Sequence, residues 1–128
     1  MALTKEQILG ISDIKTKEIK VPVWNDTVFI RQLSRGQQDE YMKRQFGKLA
    51  MKQQGTAQNI ESDMDIFGHD TWIFTQGVCD DNGQRLFSDK DVEKLKEKNG
   101  EAIGFVSSEI IKFSGMQADI DELEKVKN

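Results

Sequence analysis

Residues 17–33 have the sequence KEIKVPVWNDTVFIRQL, and this stretch decides the fold because two runs rich in β-branched residues flank a turn signal. Apolar and polar residues alternate over residues 17–24, and residues 27–33 form the second run. Between them, Asn25 and Asp26 favour a two-residue turn. The stretch therefore predicts a β-hairpin.

The two faces of this hairpin differ in composition. Pairing across the turn places aliphatic residues together on one face, which we expect to cover the core. The expected pairs are Val23 with Val28, Val21 with Ile30, and Ile19 with Gln32. The other face carries Pro22, Trp24 and Phe29 and is unusually apolar for a surface that meets water. Because proline cannot donate to a sheet ladder, Pro22 also indicates an edge strand, which could recruit another chain.

Capping boxes mark the starts of helices in the rest of the chain. They are Thr4 with Gln7, Ser34 with Gln37, Ser62 with Asp65, and Ser88 with Asp91. The first predicts a short helix at residues 3–11, and the second predicts a helix that fades into a loop at residues 52–59. The third predicts an apolar, central helix through about Cys79. The fourth predicts a short helix at residues 89–98 that ends in a left-handed cap at Asn99 and Gly100.

The last part of the chain carries two further apolar stripes. Residues 101–113 have one at helical spacing, formed by Ile103, Val106, Ile110 and Phe113. The acidic tail carries a narrower stripe that includes Ile120 and Leu123, compatible with a terminal helix that docks weakly. Together these patterns predict a mainly helical α+β fold in a single domain, residues 1–128. Its hairpin lies at about 17–33 and is followed by about four to five helices at about 35–127.

Composition restricts the functions open to this chain. Its 128 residues are 37% hydrophobic and 31% charged, and no run approaches the roughly 20 apolar residues of a membrane span, so we expect no membrane partner. The first residues lack the basic head and apolar run of a signal peptide, so we expect the protein to stay in the compartment where it is made. The net charge is −4, and basic residues are interspersed with acidic ones, which argues against binding of nucleic acid.

Residue types that carry catalysis are present, but not in catalytic patterns. His69 stands beside Asp70 with no second His or Cys at metal spacing, and Cys79 is too far along a continuous helix to use His69 as a base. Aligning Gly83 with the invariant glycine of a calcium loop puts Val78 at the first ligand position, so this segment indicates a plain turn. We therefore expect no catalytic residue, no metal ligand and no cofactor. A pocket that gathers His69 with acidic groups would revive an enzyme.

Several stretches of this sequence are similar to one protein family. They are VPVW at residues 21–24 with VFIRQLS at 28–34, VCDDNGQRLFSDKDV at 78–92, and DELEK at 121–125. With them, most of residues 15–127 resembles the tail assembly chaperones of long-tailed bacteriophages and prophages. The resemblance implies a non-enzymatic chaperone in the host cytoplasm that binds the tape-measure protein, presents it to subunits of the major tail (tube) protein, and is absent from the mature virion. It also implies self-association into a homo-oligomer and, for many members, a second form extended by a programmed ribosomal frameshift.

Two apolar surfaces are the candidates for partner binding, because tape-measure proteins are long and helical and an amphipathic helix needs apolar anchors. We expect Pro22, Trp24 and Phe29 to mediate self-association or contact with the client, and Ile120 and Leu123 to form a secondary site. Alternatives remain open: a structural tail-tube or head-tail completion protein of the phage particle, an enzyme, or a regulator that binds a host protein.

Overall fold

The computed structural model describes residues 2–53 and 68–116, with the surroundings of side chains described for residues 2–44 and 70–116. The helices in these ranges are α1 (Lys5–Gly10), α2 (Arg35–Gln53), α3 (Gly68–Gly77), α4 (Val92–Leu95) and α5 (Gly100–Phe113), and a short 3-10 helix (Asp89–Asp91) precedes α4. The strands are β1 (Thr16–Val21), β2 (Asp26–Arg31) and β3 (Val78–Cys79). One small sheet among several helices confirms the predicted fold class, α+β and mainly α.

Local capping chemistry sets the starts of the helices. In three of the predicted capping boxes the cap side chain accepts from a backbone N–H, and the partner side chain accepts from the N–H of the cap residue. These are Thr4 with Gln7, Ser34 with Gln37, and Ser88 with Asp91. The box predicted at Ser62 and Asp65 lies outside the described residues.

The helix ends predicted at Asn99 and before residue 52 are wrong. Asn99 does not end the preceding helix: it lies at φ −57° and ψ 124°, and its side chain accepts from the N–H of Ala102 at 3.0 Å, so it caps the start of α5. The preceding helix, α4, already ends at Leu95. The predicted loop at residues 52–59 begins too early, because α2 continues through Gln53.

The predicted hairpin is present, but its predicted register is wrong. Ile19 lies opposite Val28, and Val21 lies opposite Asp26 and not Ile30, a shift of four residues along β2. Because side chains alternate with a period of two, an even shift leaves the same residues on each face. The aliphatic face therefore survives the change of register and covers the core.

Pro22 is the physical reason for the shift. Its ring holds φ near about −65°, which suits the second position of a β-turn, and the N–H of Trp24 closes that turn by donating to the carbonyl of Val21 at 3.2 Å. Asn25 then takes a left-handed conformation at φ +52°, which asparagine tolerates better than most residues. The turn thus occupies residues 22–25, and β1 stops at Val21.

The helix predicted through Cys79 stops at Gly77, and residues 78 and 79 form the third strand of an antiparallel sheet with the order β1-β2-β3. Gly77 lies where α3 crosses α5. A Cβ atom added there would lie 2.5 Å from Cδ1 of Ile110, closer than any real contact. The absence of a side chain is therefore what lets the end of α3 approach α5 and place β3 beside β2.

The predicted central helix is confirmed, because residues 71–77 of α3 are all buried. Its core partners come from α5 and from the inner face of the sheet: Ile103, Val106 and Ile110, with Val21, Ile30 and Val78. Burying an aliphatic side chain of this size contributes about 1.5–3 kcal/mol, so this cluster dominates the stability of the fold. No helix in the described ranges combines the length and hydropathy needed to cross a membrane.

Candidate partner-binding surface

The sequence predicted that Pro22, Trp24 and Phe29 share one face of the hairpin. In the structure they do not. Because β1 ends at Val21, Pro22 and Trp24 lie in the turn, where strand alternation does not apply. Phe29 lies within β2, half-buried, on the face opposite to Ile30. The partner-binding role of these residues stays a prediction, and Ile120 and Leu123 lie outside the described residues.

Trp24 belongs instead to the core side of the sheet. Its indole meets the ring of Phe74 edge to face, with ring centroids 6.1 Å apart and an interplanar angle of 88°. Phe74 is 2% exposed and packs in turn against Phe87, with centroids 5.6 Å apart. Aromatic pairs in this geometry contribute about 0.5–1.5 kcal/mol beyond burial of area. One side of the Trp24 side chain is therefore fixed to the core.

The other part of Trp24 remains in contact with solvent. We define the hairpin tip as Pro22, Val23 and Trp24, all three exposed, with 37% of Trp24 accessible. Leu86, next to Phe87 in the chain, is also exposed. A large aromatic side chain that is both anchored and accessible is typical of residues that dominate protein interfaces, since it loses little conformational freedom on binding.

The segment that carries Leu86 and Phe87 is held by a tight turn. The carboxylate of Asp80 accepts hydrogen bonds from the N–H groups of Asn82 at 2.8 Å and Gln84 at 2.9 Å, and Gly83 takes a positive φ of +84°. This geometry agrees with the predicted plain turn. In the described ranges, no three His, Cys, Asp or Glu side chains come together in a way that would hold a metal ion.

A polar network fixes the same segment to α3. The guanidinium of Arg85 donates to the carbonyl of Thr75 at 3.1 Å and to the carboxylate of Asp89 at 3.3 Å. Gln76 is buried, donates to Asp89 at 2.7 Å, and accepts from Gln37 of α2 at 2.8 Å. A buried amide needs such partners, so the network sets the position of the segment that ends at Phe87. The sequence carried one signal for it: Gln76 close to the apolar run at residues 72–74.

α1 carries a second exposed apolar surface, which the sequence analysis did not identify. We define the N-terminal arm by its four exposed aliphatic side chains, Leu3, Ile8, Leu9 and Ile11. No residue of α1 is buried, and Leu9 is 75% exposed. A helix of six residues is marginal in isolation, so its capping box is the main local interaction that supports it.

The side chains of Cys79 and Asp70 have raised pKa values. Burial raises the pKa of the Cys79 thiol, with Asp80 adding to the rise and Arg31 opposing it. Burial also raises the pKa of Asp70. A raised thiol pKa disfavours the thiolate that acts as a nucleophile, so Cys79 behaves as a small apolar side chain in the sheet.

Comparison with known proteins finds a matching family and similar solved structures. The model of the family described as phage tail assembly chaperone matches residues 7–126. The solved structure titled "Structure of bacteriophage HK97 tail assembly chaperone" is similar with a TM-score of 0.57 at 18% sequence identity, covering 84% of this chain and 94% of that chain, which indicates a shared fold. No curated protein matches this sequence.

Proposed function

This chain belongs to the phage tail assembly chaperone family, and from that membership we propose that it binds the tape-measure protein and helps to recruit subunits of the major tail (tube) protein. The family match and the shared fold support a chaperone role in tail assembly. The work is non-enzymatic in this proposal, and it takes place in the host cytoplasm before the virion is complete. We also propose that the chain associates with further copies of itself in a homo-oligomer, and with a frameshift-extended form of itself.

One observation carries the choice of client site: Trp24 is fixed to the core through Phe74 and still exposes 37% of its surface. A long helical client presents apolar side chains at intervals of three and four residues, and these need rigid apolar anchors on the chaperone. The hairpin tip supplies such an anchor, with Leu86 as a further exposed apolar side chain. The net charge of −4 favours solubility of a complex with an aggregation-prone client.

The test is co-expression with the tape-measure protein, followed by measurement of the soluble client that copurifies. We expect Trp24→Ser to reduce copurified client at least several-fold, whereas Trp24→Phe, which keeps an aromatic ring at the tip, should retain most of it. Leu9→Ser is the matched control, because it removes an exposed apolar side chain that belongs to the N-terminal arm and not to the hairpin tip. Undiminished client binding by a folded Trp24→Ser protein would remove the hairpin tip as the client site.

A further inference from the structure

Among the described strands, β1 forms a free edge of the sheet, and the hydrogen bonds identify which of its backbone groups face outward. The N–H of Gln32 donates to the carbonyl of Lys15 at 2.9 Å, so this opposed pair is hydrogen bonded. In an antiparallel ladder, hydrogen-bonded and non-hydrogen-bonded pairs alternate. Ile19 therefore directs its backbone groups toward β2, whereas Glu18 and Lys20 direct theirs away from it.

The opposite edge of the sheet is already in use. Cys79 pairs with Phe29 of β2, and on the far side of β3 the carbonyl of Val78 accepts from the N–H of Leu86 at 3.2 Å. Outside the β1–β2 ladder, no hydrogen bond within the described part of the chain uses the backbone groups of Glu18 or Lys20. The six-residue β1 is thus the long edge at which another strand can be added.

We propose that a second copy of this chain adds its own β1 there, antiparallel, about a two-fold axis at Ile19. Registers centred on Glu18, on Ile19 or on Lys20 keep the faces of the two sheets continuous and use the outward backbone groups of β1. An axis at Glu18 places two carboxylates opposite each other, and an axis at Lys20 places two ammonium groups opposite each other. Only the axis at Ile19 sets Glu18 of each copy against Lys20 of the other.

The described side chains suit this register. Glu18 and Lys20 are both exposed and lie on the same outer face, and neither forms an ion pair with another described residue. The Glu18 carboxylate accepts from the hydroxyl of Thr27 of β2 at 2.9 Å, which holds it on the outer face of the sheet. On the inner face, Ile19 of one copy meets Ile19 of the other as a close, non-hydrogen-bonded pair.

The resulting dimer has one continuous sheet with the order β3-β2-β1-β1-β2-β3. Charged residues on edge strands normally prevent pairing with other chains, and here they act selectively. In the registers centred on Glu18 or on Lys20, this strand meets like charges. The dimer rests on the proposed self-association and specifies its interface. The hairpin tip proposed for client binding is a different set of residues, so the dimer proposal and the client-site proposal can fail separately.

Charge reversal on the full-length chain tests the register. Glu18→Lys gives lysines at both positions, and Lys20→Glu gives glutamates at both, so each variant alone opposes like charges across the two-fold axis. We expect each to weaken dimerisation at least about tenfold in sedimentation velocity over a concentration series. An equimolar mixture of the two variants restores complementary pairs, and so does the double variant Glu18→Lys/Lys20→Glu. Both should return to the association of the unmodified protein.

Overall charge is controlled separately. Glu18→Lys makes the net charge of −4 less negative, so a loss of dimer in this variant cannot come from repulsion between whole molecules. Glu97→Lys and Lys94→Glu carry the same charge changes at exposed positions outside the sheet and should leave association unchanged. A monomeric unmodified protein, or single variants that associate as tightly as it does, would overturn the proposal. Client copurification, measured on the same variants, reports on the hairpin tip independently.

Discussion

Trp24 and Phe74 lie edge to face with ring centroids 6.1 Å apart, which joins the turn of the hairpin to the central helix. They are far apart in the sequence, and one is exposed while the other is buried. The contact gives Trp24 a role in stability beside the client binding proposed for it, and the two roles are separable by substitution.

Replacing Trp24 by Ala should lower the free energy of unfolding by about 1–2 kcal/mol, because it removes the ring contact and the buried part of the indole. Urea denaturation measures this change. Leu9→Ala, at a side chain that is 75% exposed, is the control and should stay within about 0.5 kcal/mol of the unmodified protein. Equal effects of the two substitutions would mean that the Trp24 contact contributes nothing to stability.

Replacing Gly77 by Ala should destabilise the fold by about 1–3 kcal/mol or more, because the new Cβ would lie within 2.5 to 2.8 Å of three atoms of Ile110. Gly104→Ala is the matched control in α5: nothing lies within 4 Å of its added Cβ, and the gain in helix propensity should stabilise by up to about 1 kcal/mol.

A double-mutant cycle isolates the contact between these two helices. In an Ile110→Ala background the clashing atoms are gone, so Gly77→Ala should cost little beyond the cost of the Ile110 change itself. If its cost were the same in both backgrounds, close approach to Ile110 would not be the reason for a glycine at the end of α3.

Asp70 should make stability depend on pH. Burial raises the pKa of Asp70 in the folded protein above the ordinary value of 3.8, which applies to the unfolded chain. Between pH 3.8 and the pKa of the folded state, the folded protein therefore binds more protons than the unfolded chain, and its stability falls as pH rises. Asp70→Asn removes the titrating carboxyl group and therefore removes this loss of stability. We expect the variant to be more stable than the unmodified protein at pH 7, with the difference vanishing below about pH 3.8. Urea titrations across this range measure it, and a difference that is constant with pH would contradict the assignment.

Mass spectrometry of purified virions distinguishes a chaperone from a structural tail-tube or head-tail completion protein. We expect peptides of this chain in lysates of infected cells and none in mature particles, because a chaperone leaves its client once the tube has assembled. Tail-tube peptides from the same particles are the internal control. Stoichiometric recovery of this chain from virions would establish the structural alternative.

The starts of α1, of α2 and of the 3-10 helix, and the existence of the hairpin, followed from the sequence because they depend on residues close together in the chain. The reciprocal hydrogen bonds of Thr4 with Gln7 span a single turn, and alternation along β1 and β2 assigns each residue to a face. The candidate surface was partly predictable for the same reason: Trp24 was identified as an apolar side chain outside the aliphatic stripe.

Tertiary structure alone decided the register of the hairpin, the third strand at Val78–Cys79, and the contact of Trp24 with Phe74. Residues 78 and 79 continue an apolar helical pattern, and only the approach of β2 makes them a strand. Each of these features joins residues distant in the chain, where packing and not local propensity determines the lowest free energy. The sequence therefore determined which segments form and which faces are apolar, while long-range packing determined which face meets which partner.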